Sequence, residues 1–401
     1  MSDTPLVHLV AGGTNQLPIL RAAKSLGYRV LVTDMYSDPP CRGEADEFVQ
    51  VDVANRAATL EVAHRFGVHG VLTDQTDVAV PTVALIAEEL GLPGIGFETA
   101  LRFTNKELMR SSLAGCATFR LPNCYFFEEV NRAVEFVRSS VSSTGCWIAK
   151  PVNSQGSRGV ARLDGTNDDA IVIRAFEAGR QKGVLVEEFI EGDEYSVESF
   201  VSAGVHHNLA VTRKYHYEQN DCIDERNTYL GDVERLIEEA LFSATDELAD
   251  TLNPALCSMH TEYKVHDGEV FLIETAARGA GGNISGKLIP FLTGFDPSVA
   301  LVKAAVGEPV AVEYGDYNRR SAILRFFDFS PGVVSSIWYD EQIASVLMHF
   351  ELNVTGGDEI RKIRDSRDRP GYFIAAGDRR DAVLREEQQF LDSFKIRYTE
   401  S

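Results

Sequence analysis

Two glutamates, Glu262 and Glu274, stand on two extended runs of the chain that flank the dipeptide Asp267-Gly268. Carboxylates on neighbouring strands can hold a hard cation through oxygen, and Arg278 offers a planar fork for a phosphate or a carboxylate. Side chains alternate between the faces of a strand, so further residues share the faces of the two glutamates: His260 and Lys264 in the first run, Ala276 in the second. The pattern predicts a β-hairpin that carries a metal site.

The register of this hairpin decides whether both glutamates point the same way. They do so if the residues paired across it have position numbers of even sum, which favours a three-residue loop from Asp267 to Glu269, or else a β-bulge. Gly268 can supply the positive φ that such a loop needs. The alternative is an exposed edge hairpin with solvated charges. Two carboxylates that face each other without metal repel, so neutralising one should hardly affect folding.

A second candidate site follows Lys150, which ends an apolar strand. The loop after it contains Ser154, Gly156, Ser157 and Gly159 and leads into another strand. Small residues let backbone N–H groups close on phosphate oxygens, while the lysine reaches the same phosphates as a point charge. A plain Gly/Ser hairpin is the alternative. The sequence lacks the Gly-Lys-Ser/Thr of a P-loop.

Residues 183–201 contain an apolar strand, a break at Glu191-Gly192-Asp193, and a second strand that starts at Glu194. Extended backbone at such a break can offer a carbonyl and an N–H to the edge of a purine. A β-turn that only joins two strands is the alternative. The segment is therefore a candidate nucleotide-binding hinge.

Residues 210–232 are polar and aromatic, and we predict that they are loop-like, with a helix after them. Substrate selection is expected in this segment, because connecting segments commonly carry binding residues. Asn283, just past the glycines that follow Arg278, is a further candidate. Within the segment, the residues that could bind a substrate carboxylate are Arg213, Lys214, Arg226 and Tyr229.

The chain that must position these groups has an ordinary globular composition. Its 401 residues predict two to three domains, and 44% of them are hydrophobic and 25% charged. A formal charge of −21 argues against a nucleic-acid-binding surface. The sequence lacks an apolar run of about eighteen residues, so we expect no membrane partner. Six cysteines without CxxC pairing and an N-terminus without a cleavage signal favour free thiols in a reducing cytoplasm.

The first ~100 residues alternate strand and helix, as in a Rossmann-like α/β unit. Gly12-Gly13 follow the first strand and Asp34 ends the second, which could suggest dinucleotide binding. However, Asn15 and Gln16 stand where the fingerprint needs further glycines. We therefore expect a βα turn that requires glycine for its backbone geometry, and no NAD site.

Five segments occur in the order and spacing of the ATP-grasp superfamily: Lys106, KPVNSQGSRGV, VEEFIEG followed by EYSVE, HTEYKV, and IETAARGAGG. Over roughly residues 1–310 the chain resembles this superfamily, in its carboxylate–amine ligase type. From about Ser321, the segments LRFFDFSPGVVSSI and RPGYFIAAGDRRDAVLREEQQF resemble the C-terminal domain of the L-amino-acid ligase (dipeptide-forming) branch.

The resemblance implies a fold of the α/β and α+β classes with three domains. Residues 1–103 would form a Rossmann-like preATP-grasp domain. Residues 104–310 would form the ATP-grasp domain, with a small lid subdomain at about 117–186. Residues 311–401 would form a β-rich C-terminal domain.

The resemblance also implies an ATP site. Lys106 and Lys150 resemble the lysines that touch the α- and β-phosphates, and the loop from Ser154 to Gly159 resembles the one over the γ-phosphate. The adenine hinge would be Glu187, Glu188, Phe189 and Ile190, in which the Glu188 carbonyl and the Ile190 N–H contact the base. Glu194 would bind the ribose hydroxyls.

The remaining roles concern the metal and the reacting groups. Glu262 and Glu274 resemble the ligands of Mg²⁺, for which Mn²⁺ can substitute. Ala276 stands where the commoner pattern has an Asn that helps to hold the metals, so one or two magnesium ions stay possible. Arg278 would steady an acyl phosphate, with Lys150 as the other catalytic residue. Lys214, Arg226 and Asn283 are the substrate candidates.

In the implied reaction, a substrate carboxylate attacks the γ-phosphate of ATP, and an amine then displaces phosphate from the acyl phosphate. Phosphoryl transfer asks a protein mainly for positioning and positive charge. The amine must lose a proton, and His206, His207, His216 and His260 are candidate acceptors by residue type only. An ATP-dependent carboxylase that uses bicarbonate, either biotin-carboxylase-like or of the purine-biosynthetic type, is the alternative. We expect small-molecule acid and amine partners and a homodimer.

Overall fold

The structure is a computed structural model that describes residues 4–141 and 146–399. Residues 1–3, 142–145 and 400–401 lie outside the described residues. They include the start of the first predicted domain, part of the predicted lid and the end of the third predicted domain.

The N-terminal part is a parallel sheet covered by helices. Its strands follow the spatial order β3-β2-β1-β4. β1 and β2 are almost wholly buried, which explains their near-continuous apolar sequence. This confirms the predicted Rossmann-like unit. The bounds are β1 (Leu6–Val10), α1 (Leu17–Ser25), β2 (Arg29–Asp34), β3 (Glu47–Gln50), α2 (Arg56–Phe66), β4 (Gly70–Leu72), α3 (Val80–Leu90), α4 (Phe97–Thr104) and α5 (Lys106–Ser112).

A small antiparallel sheet with its own core follows. Its four strands have the order β5-β8-β6-β7, and two helices pack on them. The bounds are β5 (Cys124–Phe127), α6 (Val130–Phe136), β6 (Trp147–Pro151), β7 (Ala161–Leu163), α7 (Asp168–Ala178) and β8 (Val184–Glu188). This unit carries the loop that follows Lys150 and, at its end, the predicted hinge.

The centre of the molecule is an eight-stranded antiparallel sheet. Five of its strands and three helices precede residue 311: β9 (Asp193–Ser202), β10 (Val205–Tyr217), β11 (Asn220–Tyr229), α8 (Arg235–Leu252), β12 (Cys257–His266), β13 (Glu269–Ala276), α9 (Ile289–Thr293) and α10 (Pro297–Ala305). The C-terminal elements are β14 (Ser321–Phe326), β15 (Gly332–Trp338), α11 (Glu341–Val346), β16 (His349–Leu352), β17 (Glu359–Ile360), β18 (Gly371–Gly377), α12 (Arg380–Ser393) and β19 (Lys395–Tyr398).

The order of the large sheet is β13-β12-β9-β10-β11-β14-β18-β16, so three C-terminal strands continue it through the β11–β14 pair. A separate three-stranded sheet has the order β17-β15-β19. The predicted α/β and α+β fold class and its β-rich C-terminal part are confirmed.

The prediction that residues 210–232 are loop-like is wrong. Most of this segment belongs to β10 and β11, which form a hairpin. Polar side chains such as Lys214, His216 and Asp224 line a cavity from these strands. Because one face of the hairpin contacts this polar cavity, the strands lack the apolar alternation by which strands are commonly recognised.

The hairpin of the two glutamates has the predicted bulge, and the predicted three-residue loop is wrong. Asp267 and Gly268 alone form the turn, both with positive φ, which suits a tight two-residue hairpin turn. Glu262 pairs directly with Glu274, and the register shifts by one residue immediately afterwards. The bulge therefore restores the even-sum pairing that the two-residue turn alone would break.

Within the described ranges, no single helix is long and apolar enough to cross a membrane. The helical segments 284–293 and 297–305 meet the length and hydropathy conditions only when taken together, and they are bent by 110° at the break between them.

Candidate active site

A cavity of about 480 Å³ lies between the small antiparallel sheet, one face of the large sheet, two loops of the N-terminal part and the C-terminal strands. It brings together most of the residues that the sequence singled out. Those that line it are Lys106, Lys150, Ser154, Gly156, Ser157, Glu188, Phe189, Ile190, Glu194, Lys214, Glu262, Glu274 and Arg278. Four other predicted residues are not part of the lining: Gly159, Glu187, Arg226 and Asn283.

The carboxylates of Glu262 and Glu274 each have a cationic partner. Lys106 Nζ donates to Glu274 Oε1 at 2.6 Å, and Lys214 Nζ donates to Glu262 Oε1 at 2.5 Å. The expectation of two unscreened, mutually repelling carboxylates is therefore wrong. It failed because the sequence does not show which lysines lie opposite the hairpin.

Lys214 links the two ends of the predicted nucleotide site. Its ammonium also lies 2.9 Å from Glu194 Oε1, and its side chain is only 7% exposed. Burial would raise the pKa of Glu194, but the charges of Lys214 and His216 hold it at about 2. Predicted as a substrate-binding residue, Lys214 thus contacts a predicted ribose ligand and a predicted metal ligand.

His260 extends this network into the sheet. Its Nδ1 lies 2.6 Å from Glu198 Oε1, and its Nε2 lies 3.3 Å from Glu262 Oε1. Burial would lower the pKa of His260, but the charges and hydrogen bonds of Glu198 and Glu262 raise it to about 9. At neutral pH this histidine is an imidazolium, so it cannot accept the proton of an amine.

Lys150 ends β6 and shares a buried carboxylate with Arg110. Glu187 Oε2 lies 2.8 Å from Lys150 Nζ, and Arg110 Nε donates to Glu187 Oε1 at 2.9 Å. Glu187 is fully buried, and although burial alone would raise its pKa, the two cations hold it well below the usual range. Glu187 positions Lys150 from beneath the cavity, and its side chain does not contact the cavity.

The loop after β6 is hydrogen-bonded to the N-terminal and C-terminal parts of the molecule. The Asp77 N–H donates to Gln155 Oε1 at 2.6 Å, and the Ser366 N–H donates to the Gly156 carbonyl at 3.2 Å. Ser157 adds a hydrogen bond from Oγ to the Cys222 carbonyl at 2.8 Å. Gly156, Ser157 and Gly159 all have positive φ, so the loop curls towards the cavity.

The predicted hinge places one aromatic ring against the cavity. Two cations lie close to the ring of Phe189, with Arg162 Cζ 4.0 Å and Lys264 Nζ 4.1 Å from its centroid. Glu188 and Ile190 line the cavity on either side of it. The break at Gly192 has φ +116°, and a Cβ there would lie 2.2 Å from the Val265 carbonyl oxygen, so glycine is required.

Arg278 reaches the cavity from the turn after β13 and pairs with the N-terminal part. Its Nε donates to Asp77 Oδ1 at 2.8 Å, and Asp74 Oδ1 accepts the Gly279 N–H at 2.7 Å. Asp74 and Asp77 follow β4, at the carboxyl end of a parallel strand, where open α/β sheets bind ligands. That position was an available signal in the sequence.

The structure does not support substrate binding by Arg226. Both its Nε and its Nη2 donate to Glu387 on α12, each at 2.7 Å. Strand alternation would put Arg226 on the same face as Asp224, but the β10–β11 register shifts between the pairs Tyr215–Arg226 and His216–Asp224. The shift places Asp224 and Asn227 on the cavity and turns Arg226 away.

Asn283 also lies outside the cavity lining, where it donates from Nδ2 to the Tyr372 hydroxyl at 2.6 Å. Of the other substrate candidates, Arg213 pairs with Asp193 at 2.8 Å, and Tyr229 is buried in the core. His206 and His207 line a different cavity beside α8.

Sequence reasoning missed the part of the lining that comes from the C-terminal strands and their loops. Glu198, which contacts His260 from outside the lining, had a signal, because it shares a strand face with Glu194 by alternation. The C-terminal residues had none, since their motif resemblance carried no site assignment. These residues are Glu351, Asn353, Ser366, Arg367, Arg369, Gly371 and Tyr372.

The carboxylate pair has the donor chemistry that Mg²⁺ requires. Glu262 and Glu274 are 23% and 29% exposed, so their oxygens can be reached from the cavity. Among the described residues, no three His, Cys, Asp or Glu side chains converge into a complete metal cage. Mg²⁺ commonly takes one or two carboxylates and completes its shell with phosphate oxygens and water, so two glutamates fit it.

Three family comparisons match successive parts of the chain. The ATP-grasp N-terminal domain matches residues 20–94, the ATP-grasp domain matches residues 144–287, and the L-amino acid ligase C-terminal domain 2 matches residues 325–399. The chain is an ATP-grasp protein. These matched domains agree with the predicted enzyme class, an ADP-forming carboxylate–amine ligase.

Solved structures share the fold of this ATP-grasp protein over its whole length. An L-amino acid ligase from Bacillus licheniformis superposes with a TM-score of 0.83 at 20% identity and covers 100% of both chains. A phosphoribosylglycinamide synthetase from Anaerococcus prevotii has a TM-score of 0.73 at 18% identity, over 99% of this chain and 100% of the other. A biotin carboxylase from Campylobacter jejuni has a TM-score of 0.72 at 12% identity, over 98% and 92%.

The relatives found by sequence align with a smaller part of the chain than the solved structures do. Two formate-dependent phosphoribosylglycinamide formyltransferases, from Synechococcus sp. strains WH7803 and CC9605, are each 28% identical, over 193 and 203 residues. Each alignment spans 47% of this chain and 48% of the relative. The chain thus matches about half the length of these two proteins.

The buried charge cluster beneath the cavity generates a stability prediction. Glu187→Gln leaves Arg110 and Lys150 buried without a counter-charge and should lower the free energy of unfolding by about 3–5 kcal/mol. Glu44→Gln is the matched control, because Glu44 makes the same two-point contact with Arg21 on the surface; it should cost at most about 1 kcal/mol. Urea denaturation at pH 7 measures both.

The loss of stability in Glu187→Gln should also depend on pH. The pKa of Glu187 is lower in the folded than in the unfolded state, where it is near 4.3. Ionised Glu187 therefore stabilises the fold at any pH above the unfolded-state pKa. That stabilisation is lost as the pH falls towards the folded-state pKa. The gap in stability between wild type and Glu187→Gln should therefore narrow as pH falls below about 4.3. A gap that is small at pH 7, or that widens in acid, would contradict the role of Glu187 as counter-charge.

Proposed function

We propose that this protein joins a small carboxylic acid, such as an amino acid, to an amine, with ATP converted to ADP and phosphate through an acyl phosphate. The observation that carries the proposal is the cross-strand pair Glu262–Glu274 in one cavity with four lysines and Arg278. This arrangement concentrates positive groups and oxygen ligands where a triphosphate and a carboxylate would have to meet.

The hinge and the loop after β6 would hold the two ends of the nucleotide. The backbone of Glu188 and Ile190 would contact the adenine edge beside Phe189, and Glu194 would accept from the ribose hydroxyls. The loop from Ser154 to Gly159 would cover the γ-phosphate with its N–H groups. In this structure the loop accepts hydrogen bonds from the N–H groups of Asp77 and Ser366, so its closure over the nucleotide would involve the N-terminal and C-terminal parts of the chain.

The cations would exchange partners when the nucleotide binds. Lys106 and Lys214 neutralise Glu274 and Glu262 in this structure, and they would turn to phosphate oxygens once the two carboxylates hold Mg²⁺. Mg²⁺, when bound, supplies charge neutralisation on the phosphates. Arg278, fixed by Asp77, would orient the carboxylate that attacks the γ-phosphate and then the acyl phosphate.

The histidines are poor candidates for accepting the proton of the amine. His260 is already protonated at neutral pH, and His206 and His207 lie outside this cavity. His216 Nε2 lies 3.1 Å from Glu194 Oε2, beside the predicted ribose site. We therefore assign no histidine as the base that deprotonates the amine.

We also propose that the protein works in the cytoplasm as a homodimer on small-molecule substrates. The support comes from the free cysteines and from the fold that the protein shares with small-molecule ligases. Light scattering of the purified protein would show a mass near twice that of one chain.

ADP release should depend on both substrates. With ATP and Mg²⁺, release should be stimulated by a subset of a panel of amino acids and other carboxylic acids, and further by an amine, because the amine clears the acyl phosphate. A coupled assay of ADP measures this rate. Stimulation by bicarbonate alone would instead identify a carboxylase, and ADP release independent of any acid would contradict the ligase.

The metal assignment makes a separate prediction. Glu274→Gln should lower the apo melting temperature slightly, since Lys106 loses its counter-charge, and should reduce the rise caused by ATP with Mg²⁺ by at least about half, because that rise follows ligand affinity. Glu269→Gln is the control: it lies on the same strand in an exposed pair with Arg120 and should keep the full rise. An undiminished rise in Glu274→Gln would exclude the carboxylate from the metal site.

A further inference from the structure

Glu351 on β16 is a carboxylate of the cavity whose charge is not balanced by a neighbouring cation. Among the described residues its nearest basic atom is His349 Nε2, 3.6 Å from Glu351 Oε2. Of the six other carboxylates that line the cavity, five have a cationic side chain within 3.0 Å: Glu194, Asp221, Asp224, Glu262 and Glu274. The sixth, Glu188, accepts a hydrogen bond from Asn123 Nδ2 at 2.7 Å. Glu351 therefore presents a net negative charge to the cavity.

The neighbours of Glu351 preserve that charge. Lys287 Nζ lies 2.9 Å from His349 Nδ1, and burial, followed by the Lys287 charge, lowers the pKa of His349. The 3.6 Å between His349 Nε2 and Glu351 Oε2 is longer than a hydrogen bond, and the lowered pKa of His349 disfavours the imidazolium that an ion pair with Glu351 would need. With its side chain 35% exposed, Glu351 remains accessible from the cavity.

Tyr372 is the cross-strand neighbour of Glu351. The two residues are directly opposite in the β16–β18 ladder, and Tyr372 also lines the cavity. The Tyr372 hydroxyl accepts from Asn283 at 2.6 Å, so its own proton is available to the carboxylate. This arrangement leaves further acceptor positions of Glu351 free for a ligand.

The chain between Arg278 and Asn283 carries almost no side chains. It consists of Gly279, Ala280, Gly281 and Gly282, and the last three line the cavity. At Gly282 a Cβ would lie 2.9 Å from Leu324, and the residue has φ +64°, so a larger side chain is disfavoured. The cavity therefore stays open between the arginine predicted to hold the reacting carboxylate and the ladder that holds Glu351.

We infer that Glu351 binds the primary ammonium group of a substrate. This inference rests on the proposed ligase function and deepens it. A free carboxylate beside a phenol recognises a compact cation with several N–H donors, which it can bind by charge-assisted hydrogen bonds. The ammonium group can belong to the acid substrate, as in an amino acid, or to the amine substrate before it loses its proton.

The test compares Glu351→Gln with wild type and with Glu359→Gln, which removes an exposed carboxylate of the same C-terminal region that is paired with Arg361. The acids are three pairs with and without the α-amino group: L-alanine and propanoate, L-methionine and 4-(methylthio)butanoate, L-phenylalanine and 3-phenylpropanoate. Hydroxylamine, uncharged at pH 8, serves as one nucleophile and yields a hydroxamate; glycine, an ammonium ion, serves as the other.

If the acid supplies the ammonium group, Glu351→Gln should raise KM for the amino acids by about tenfold or more with hydroxylamine, as expected for the loss of a charge-assisted hydrogen bond. KM for the analogues without the amino group should stay within about threefold of wild type. If the amine supplies it, KM should rise for glycine alone. Either selective result supports the inference, and Glu359→Gln should match wild type in both.

Equal losses for charged and uncharged substrates, or no loss at all, would overturn the inference while leaving the ligase function intact. Wild type that forms no product with any acid would overturn both. Tyr372→Phe is the second variant in case Glu351→Gln fails to fold, as judged by its melting temperature. It keeps the ring, removes the hydroxyl beside Glu351, and should show the same selectivity with a smaller rise in KM.

Discussion

The pairing of buried charges is the constraint on which this site depends. A charged side chain removed from water must find an opposite charge or hydrogen bonds, and a cavity that has to bind a polyphosphate needs several cations. Lys214 meets this requirement by lying between Glu194 and Glu262, at 2.9 and 2.5 Å. Lys214 is thus held in place between two counter-charges, and under the proposed function a nucleotide with its metal would take over both kinds of partner.

Different parts of the fold supply the two members of these pairs. Arg278 comes from the turn after β13 and Asp77 from the loop after β4, while Asp224 on β11 pairs with Arg369 of the C-terminal part. The eight-stranded sheet holds its share of these residues in register, and its last three strands come from the C-terminal part of the chain. Each ion pair therefore also fixes how the sheet and its neighbours pack around the cavity.

Many of the residues that line the cavity could be predicted from the sequence, because they belong to local patterns. Lys150 with its Gly/Ser loop, and the two glutamates that flank a tight turn, are short motifs whose spacing is fixed by strand geometry. The resemblance then placed these motifs in one fold, and the comparisons confirmed that fold.

The rest depended on register and on contacts between distant residues. A single shift in the β10–β11 ladder turned Arg226 away from the cavity and left Asp224 facing it. The partners of Arg278 and Glu262 lie 201 and 48 positions away in sequence, and no periodicity indicates such pairs. Residues 210–232 looked like a loop because strands that face a polar cavity lose the apolar alternation by which strands are recognised.

The proposed function requires the substrate carboxylate itself to attack the γ-phosphate within this cavity. A substrate acid labelled with heavy oxygen in its carboxylate tests it most directly, with mass spectrometry of the phosphate released during amide formation. Attack by the carboxylate transfers one labelled oxygen to each phosphate, because the amine later breaks the carbon–oxygen bond of the acyl phosphate. Phosphate that carries no label, formed at the same rate as the amide, would contradict the account.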